Sequence, residues 1–153
     1  MRERGALTSA GALTALVDET FRLADAFSRA GDALVAEEGL TAARWLTLGA
    51  VAHGPLSVAG IARRRGMRRQ SANESVAQLE RAGLVVRRPD PADARAPLVH
   101  LTDEGRRALD RIRPRRLAWA ADAAAGASEA DLTAAVDLLR RIRTTLETGA
   151  RDE

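Results

Sequence analysis

Residues 61–101 read IARRRGMRRQSANESVAQLERAGLVVRRPDPADARAPLVHL, and this stretch decides the fold. Its first residues finish a short helix that buries Val58, Ile61 and Ala62, that Ser57 can cap, and that Gly66 breaks. A second helix is expected from Arg68 to Arg81, because Ala72, Val76 and Leu79 recur at i, i+4 and i+7 as one buried stripe. At about 100° per residue, Gln70, Asn73, Glu74, Ala77 and Arg81 fall on or near the opposite face. Gly83 ends that helix. Residues 84–88 and 98–101 then read as an antiparallel strand pair, and the polar, Pro-rich run 89–97 projects between them as a loop.

The charge is concentrated in the same region. Residues 41–107 hold 12 arginines against 6 acids, residues 1–40 hold 4 against 7, and residues 108–153 hold 8 against 8. A basic centre between neutral and acidic flanks suits a polyanionic partner, although a solvated arginine-rich surface would have the same composition. Every basic residue is arginine, so the choice of Arg at one position says little by itself.

Outward from this centre the chain is helical. Leu13, Leu16, Val17, Phe21, Ala24, Phe27, Ala30 and Leu34 form a stripe over residues 9–38, with Ser9 as the expected N-cap and Gly39 as the stop. Another helix starts at Thr41, carries Trp45, Leu48 and Val51, and ends before His53-Gly54-Pro55. Thr102-Asp103-Glu104 opens a long helix with a capping hydroxyl and acids in the first turn, and Pro114 is expected to bend or divide it. Ser128 caps a last helix with Leu132, Val136, Leu139, Ile142 and Leu146 on one stripe. Gly60, inside a helix, should cost it about 1 kcal/mol relative to Ala.

Composition excludes several classes of chemistry. The 153 residues fit one domain, and 46% apolar with only 3% aromatic residues favours packed Ala- and Leu-rich helices over a β-sandwich. Without cysteine there is no disulfide, thiolate site or cysteine nucleophile. His53 and His100 lie far apart and lack HxxxH or HExxH spacing, so neither a metal nor another cofactor is expected. No Gly-rich phosphate loop or nucleophile elbow is present, which leaves an enzyme as the weakest reading. The chain lacks an apolar run of membrane-spanning length and its first residues lack a signal-peptide block, so a cytoplasmic location without membrane contact is expected.

The start of the 68–81 helix carries the interaction chemistry. Arg68 and Arg69 sit where the helix dipole is positive, which is unfavourable by about 0.3–1 kcal/mol each for an isolated helix. A phosphate at that end reverses the sign, because it meets both the free amides and the guanidinium groups. Gln70, Ser71 and Asn73 can reach base edges, with Gln and Asn suited to adenine and Arg69 to guanine. Glu74 faces the same way and is repelled by phosphates, so it either accepts from cytosine or pairs with a neighbour. Arg95, at the loop tip, can enter a minor groove with Asp93 aiming it, although the same two residues also suit an ordinary turn.

In this order the segments LTAARWLTLGAVAHGPLSVAGIARRRGM, RQSANESVAQLERAGLVVRR and PDPADARAPLVHLTDEGRRAL resemble the winged helix-turn-helix core of the MarR family of bacterial transcription regulators. The Leu-Glu-Arg-Ala-Gly-Leu-Val run, the Asp-Pro-x-Asp-x-Arg loop and the Leu-Thr-Asp-Glu-Gly after it carry the likeness. It implies a mainly α fold with a small β-hairpin wing: residues 41–101 form the DNA-binding lobe, and residues 9–38 and 103–148 form dimerisation helices within one domain. It further implies a homodimer on a pseudo-palindromic operator in double-stranded DNA, most often a repressor released by a small-molecule effector. Arg69, Gln70, Ser71 and Asn73 match contact positions of the recognition helix, Arg95 matches the wing arginine, and Asp93 matches the aspartate that positions it. Arg68 begins that helix, and Arg63, Arg64, Arg65, Arg87 and Arg88 fall near backbone-contacting regions. Family members often carry Ser or Thr in place of Arg68 and a basic residue near Glu74. These departures bear on the operator sequence, and Glu74 favours the alternative of a winged-helix interaction partner with weak DNA specificity. Effector residues are not assigned, since Phe27, Trp45 and Trp119 suit core packing better than ligand contact.

Overall fold

Hydroxyl caps set where the helices begin. In the computed structural model of the chain, which describes residues 8–93 and 95–149, α1 spans Ser9–Val35 and a 3-10 turn follows at Ala36–Glu38. Its cap is Thr8 and not Ser9: Thr8 takes the extended conformation and its Oγ1 accepts the Gly11 N–H at 3.2 Å. Thr41 Oγ1 accepts from Arg44 N at 3.3 Å to open α2 (Ala42–Ala50), and Ser57 Oγ accepts from Gly60 N at 3.1 Å to open α3 (Val58–Arg65). Gly66, at φ 62°, closes α3 in the left-handed region where glycine is unstrained. Helix α4 covers Arg69–Arg81 with Arg68 at the cap position. Thr102 Oγ1 accepts the Gly105 N–H at 3.0 Å to begin α5 (Asp103–Ala123). Pro114 does not divide α5, which runs through it as one helix.

The chain divides into two compact units with the boundary after Pro114. In the first, Val35, Leu48, Ile61, Val76, Leu79, Val99 and Ile112 are fully buried and join five helices and a sheet around one core. Ala72, Val76 and Leu79 are the buried residues of α4, as their spacing predicts. The expected strand pair is present as β2 (Val85–Arg88) and β3 (Leu98–Leu101), in register from Val85 opposite Leu101 to Arg88 opposite Leu98. The sheet nonetheless has three strands and not two. The dipeptide Leu56–Ser57 forms β1 and pairs with β3, Leu56 opposite Val99, giving the order β1-β3-β2. Two residues are too few for an alternation to be read.

Thr102 ties the sheet to the helices. Its Oγ1 donates to the Gly83 carbonyl at 2.7 Å while its N–H donates to Leu84 O at 3.1 Å, so one threonine joins the turn after α4 to the first turn of α5. Farther along, Arg111 reaches Glu38 at 2.9 Å and Glu104 at 3.1 Å. Hydrogen bonds from Arg111, then Arg107, hold the Glu104 carboxyl below its usual range.

The second unit holds the end of α5 and α6 (Glu129–Gly149). A reciprocal cap opens α6: Ser128 Oγ accepts the Asp131 N–H at 3.1 Å, and Asp131 Oδ2 accepts the Ser128 N–H at 3.1 Å. None of the residues of α6 is buried within the single chain.

Gly60 is not explained by close packing. A methyl there would lie 3.4 Å from Ser57 Oγ and 3.6 Å from Leu56 Cβ, which is ordinary contact. Gly60→Ala is therefore expected to raise stability by about 0.5–1 kcal/mol in a denaturant titration, because the unfolded chain loses freedom that glycine retains.

Candidate nucleic-acid interface

Helix α4 buries one side and leaves the other to solvent. Arg68, Arg69, Gln70, Ser71, Asn73 and Glu74 are all exposed. Arg68 makes no capping hydrogen bond, because a guanidinium has no acceptor to offer the first amides of the helix. That end of α4 thus combines uncapped amides with two guanidinium side chains.

Across from α4 stands the wing. Asp93 Oδ1 accepts the backbone N–H of Arg95 at 3.0 Å, and Asp90 Oδ1 accepts that of Ala92 at 2.9 Å. Ala94, between them, lies outside the described residues. Asp93 therefore shapes the backbone beneath Arg95, and among the described residues it makes no ion pair with the guanidinium. A groove of about 500 Å³ separates wing and helix, and Arg69, Gln70, Asn73, Arg87 and Arg95 line it together with Ala96 and Pro97. The N-terminal residues of α3, Ser57, Val58 and Ala59, form its floor on the third side.

Two hydrogen bonds fix the amides that face this groove. Gln70 Nε2 donates to Glu74 Oε1 at 3.1 Å, and Arg87 Nη2 donates to Asn73 Oδ1 at 3.1 Å. A carboxylate can only accept and a guanidinium can only donate, so these partners decide which end of each amide is engaged. Arg87 is itself anchored: its N–H donates to Glu80 Oε1 at 3.2 Å, and its Nε lies 3.6 Å from Glu80 Oε2, a charge contact beyond hydrogen-bond length.

The groove brings Arg69, Gln70, Asn73 and Arg95 together. It does not include Arg63, Arg64, Arg65, Arg68, Ser71 or Arg88. Arg64 donates from Nη1 to the Ala50 carbonyl at 2.8 Å, satisfying the C-terminal end of α2. Arg65 is half-buried, and one of its Nη atoms lies 3.0 Å from where a Cβ on Gly49 would sit. Burial, then the Arg64 charge, push its guanidinium below the ordinary value. Among the described residues no three His, Asp or Glu side chains gather to hold a metal.

The comparisons with known proteins agree with this geometry. The sequence profile of the MarR family matches residues 38–96, which run from the end of the 3-10 turn into the wing. An uncharacterized protein of Mycobacterium tuberculosis is 38% identical over 138 residues, covering 86% of this chain and 92% of that one. A putative transcriptional regulatory protein for the hcr operon of Thauera aromatica is 33% identical over 118 residues, covering 76% and 71%. The solved structure of the PcaV transcriptional regulator from Streptomyces coelicolor, in complex with its natural ligand, is 30% identical and superimposes with a TM-score of 0.71 over 82% of this chain and 89% of that one. The chain belongs to the MarR family.

As a MarR-family protein it is a winged helix-turn-helix transcriptional regulator and not an enzyme. In this MarR lobe, the sequence alone does not assign the start of α3 to the groove, and it places Arg87 near the DNA backbone without its role beside Asn73. Ser57, Val58 and Ala59 enter the groove because β1 pairs with β3, a contact too short to leave a pattern. Arg87 becomes a support for Asn73 because Glu80, seven residues earlier, is turned back toward it at the end of α4. An acid and an arginine flanking a helix-ending glycine were the available signal.

Proposed function

We propose that the chain is a homodimeric repressor that sets α4 into the major groove of a pseudo-palindromic operator and Arg95 into the adjacent minor groove. The observation that carries this reading is the single groove in which Arg69, Gln70 and Asn73 of the helix face Arg95 of the wing. Arg69 and the amides supply base-edge contacts; Arg68, Arg63 and Arg88 supply charge toward phosphates. Arg64 and Arg65 act mainly within the lobe, holding α2 and α3 together. A titration against DNA from upstream of the chain's own gene tests the proposal. Site-selective binding at physiological salt supports it, and only nonspecific affinity overturns it.

The dimer rests on apolar surface that the single chain leaves uncovered. Leu13, Val17 and Phe21 follow one another at four-residue steps on α1 and are 46%, 45% and 74% exposed. Leu132, Val136, Leu139 and Leu146 are exposed on α6. A second copy is the occupant that the family implies for both faces. Phe21→Glu is expected to give a helical monomer in sedimentation velocity, where the parent chain sediments as a dimer.

Release by a small molecule is supported by the likeness to PcaV, a regulator solved with its natural ligand. A cytoplasmic location fits a DNA-binding role, and no helix among the described residues is long and apolar enough to cross a membrane.

Glu74 acts here as the support of Gln70, trading affinity for selectivity. Glu74→Ala removes one charge that phosphates repel and also frees the Gln70 amide, which donates to the Glu74 carboxylate in the parent chain. Affinity for random duplex should then rise about 3–10-fold, while discrimination at the base facing Gln70 falls by a similar factor. Binding-site selection with both proteins measures the two effects together. The competing reading, an interaction partner with weak DNA specificity, predicts no site preference in either protein.

A further inference from the structure

The only two histidines of the chain, remote in sequence, meet at a second cleft. It measures about 310 Å³ and shares no residue with the reading groove. Three elements build it: the loop between α2 and β1 with His53, strand β3 with His100, and the first turn of α5 with Arg106. Pairing of Leu56 with Val99 lays the loop before β1 alongside His100. Val99 is fully buried, so its neighbour His100 faces the other side of the sheet. The close approach of Gly105 to Leu84 and Leu101 then brings Arg106 to the end of β3.

This cleft, like the reading groove, is lined by basic side chains and by no carboxylate. Arg107, Arg111 and Arg113 on the same helix each pair with a carboxylate. The side chains of Arg106, His53 and His100 have no hydrogen-bond or ion-pair partner among the described residues. Val51, Ala52, Pro55 and Leu101 supply apolar wall, and no Asp or Glu lines the cleft. Of the acids nearest in sequence, Glu104 is engaged by Arg107 and Arg111, and Asp103 is exposed outside the lining. A guanidinium and two imidazoles thus line one cleft that holds no carboxylate.

We propose that His53, His100 and Arg106 form a binding site for a small oxyanion, a carboxylate or a phosphate. The guanidinium offers a two-pronged donor to a planar or tetrahedral oxyanion, and each imidazole adds an N–H. The volume is at the lower end of the roughly 300–1,000 Å³ typical of small-molecule sites, which suits a compact anion. An occupant would join α5 to the strand that returns from the wing. The proposal does not depend on how α4 reads DNA.

With only two histidines, the imidazole Cε1–H signals in an NMR titration of the full chain report on the site directly. Benzoate and inorganic phosphate are titrated separately at constant ionic strength and constant pH. Both signals are expected to shift saturably with one shared dissociation constant for at least one anion, and the responding anion identifies the class. Arg106→Gln should weaken that constant about tenfold or more, with the thermal melt unchanged. His53→Asn should do the same, read from the His100 signal. Non-saturating shifts, an undiminished response in Arg106→Gln, or signals that move only with duplex DNA would each overturn the site.

Discussion

Gly105→Ala is expected to lower the thermal midpoint by on the order of 10 °C, or to prevent folding, because the added methyl has no space. A Cβ at position 105 would sit 2.1 Å from the Leu84 carbonyl oxygen and 2.8 Å from Leu101 Cδ1. The leucine side chain could turn aside; the carbonyl cannot. Leu84 O accepts the Thr102 N–H at 3.1 Å, and Thr102 also bonds the Gly83 carbonyl and the Gly105 N–H. Moving the backbone apart breaks this cluster, where the turn after α4, the start of β2 and the first turn of α5 meet. Overpacking of this kind costs about 3 kcal/mol or more, a large part of the ~5–15 kcal/mol that stabilises a domain. Circular dichroism melts of Gly105→Ala beside Gly60→Ala make the comparison internal: one glycine is required by its neighbours and the other is not. A shift below about 2 °C for Gly105→Ala would contradict the packing described for Thr102-Asp103-Glu104-Gly105.

Arg95→Ala is expected to weaken operator binding by about 10–100-fold on a site with A·T-rich flanks and by much less where the flanks are G·C-rich. A narrow A·T-rich minor groove concentrates negative potential, so that is where a guanidinium at the wing tip gains most. The wing turn separates two roles that a single substitution would merge. Asp93 contributes an acceptor to the Arg95 backbone N–H, and asparagine retains an acceptor at the same place. Asp93→Asn should therefore bind within about threefold of the parent, whereas Asp93→Ala should approach Arg95→Ala. Fluorescence anisotropy on two duplexes that differ only in their flanks reads all three variants. Equal losses on both flanks would place Arg95 on phosphate instead of in the minor groove.

Much of this lobe is legible in the linear sequence because its signals are local. The Ala72, Val76 and Leu79 stripe, the hydroxyls of Thr41, Ser57 and Thr102, and the Gly66 and Gly83 stops each act within a turn or two of where they stand. The shift of the cap from the expected Ser9 to Thr8 is of the same local kind, since adjacent hydroxyls compete for one cap and only backbone conformation chooses. What could not be read depends on pairing across distance. Leu56–Ser57 becomes a strand only because β3 lies beside it, and that same pairing brings His53 and His100 to one cleft. Arg87 looks like a phosphate contact until Glu80 and Asn73 surround it, and Glu74 looks like a flaw in a DNA-reading face until Gln70 is seen to bond it. The requirement for glycine at position 105 is likewise invisible without Leu84 overhead.

Selection from a random duplex library with the full chain, followed by footprinting on the enriched sequence, tests the central claim most directly. The account predicts an inverted repeat with half-site centres about 10 base pairs, or one helical turn, apart, with protected major grooves and an A·T-rich minor groove beside each. It further predicts that Asn73→Ala and Arg69→Ala relax base preference within the half-site, while Arg88→Ala lowers affinity for all sequences alike. Enrichment of no sequence, or of one that Arg69→Ala and Asn73→Ala select unchanged, would contradict the assignment of α4 as the helix that reads DNA.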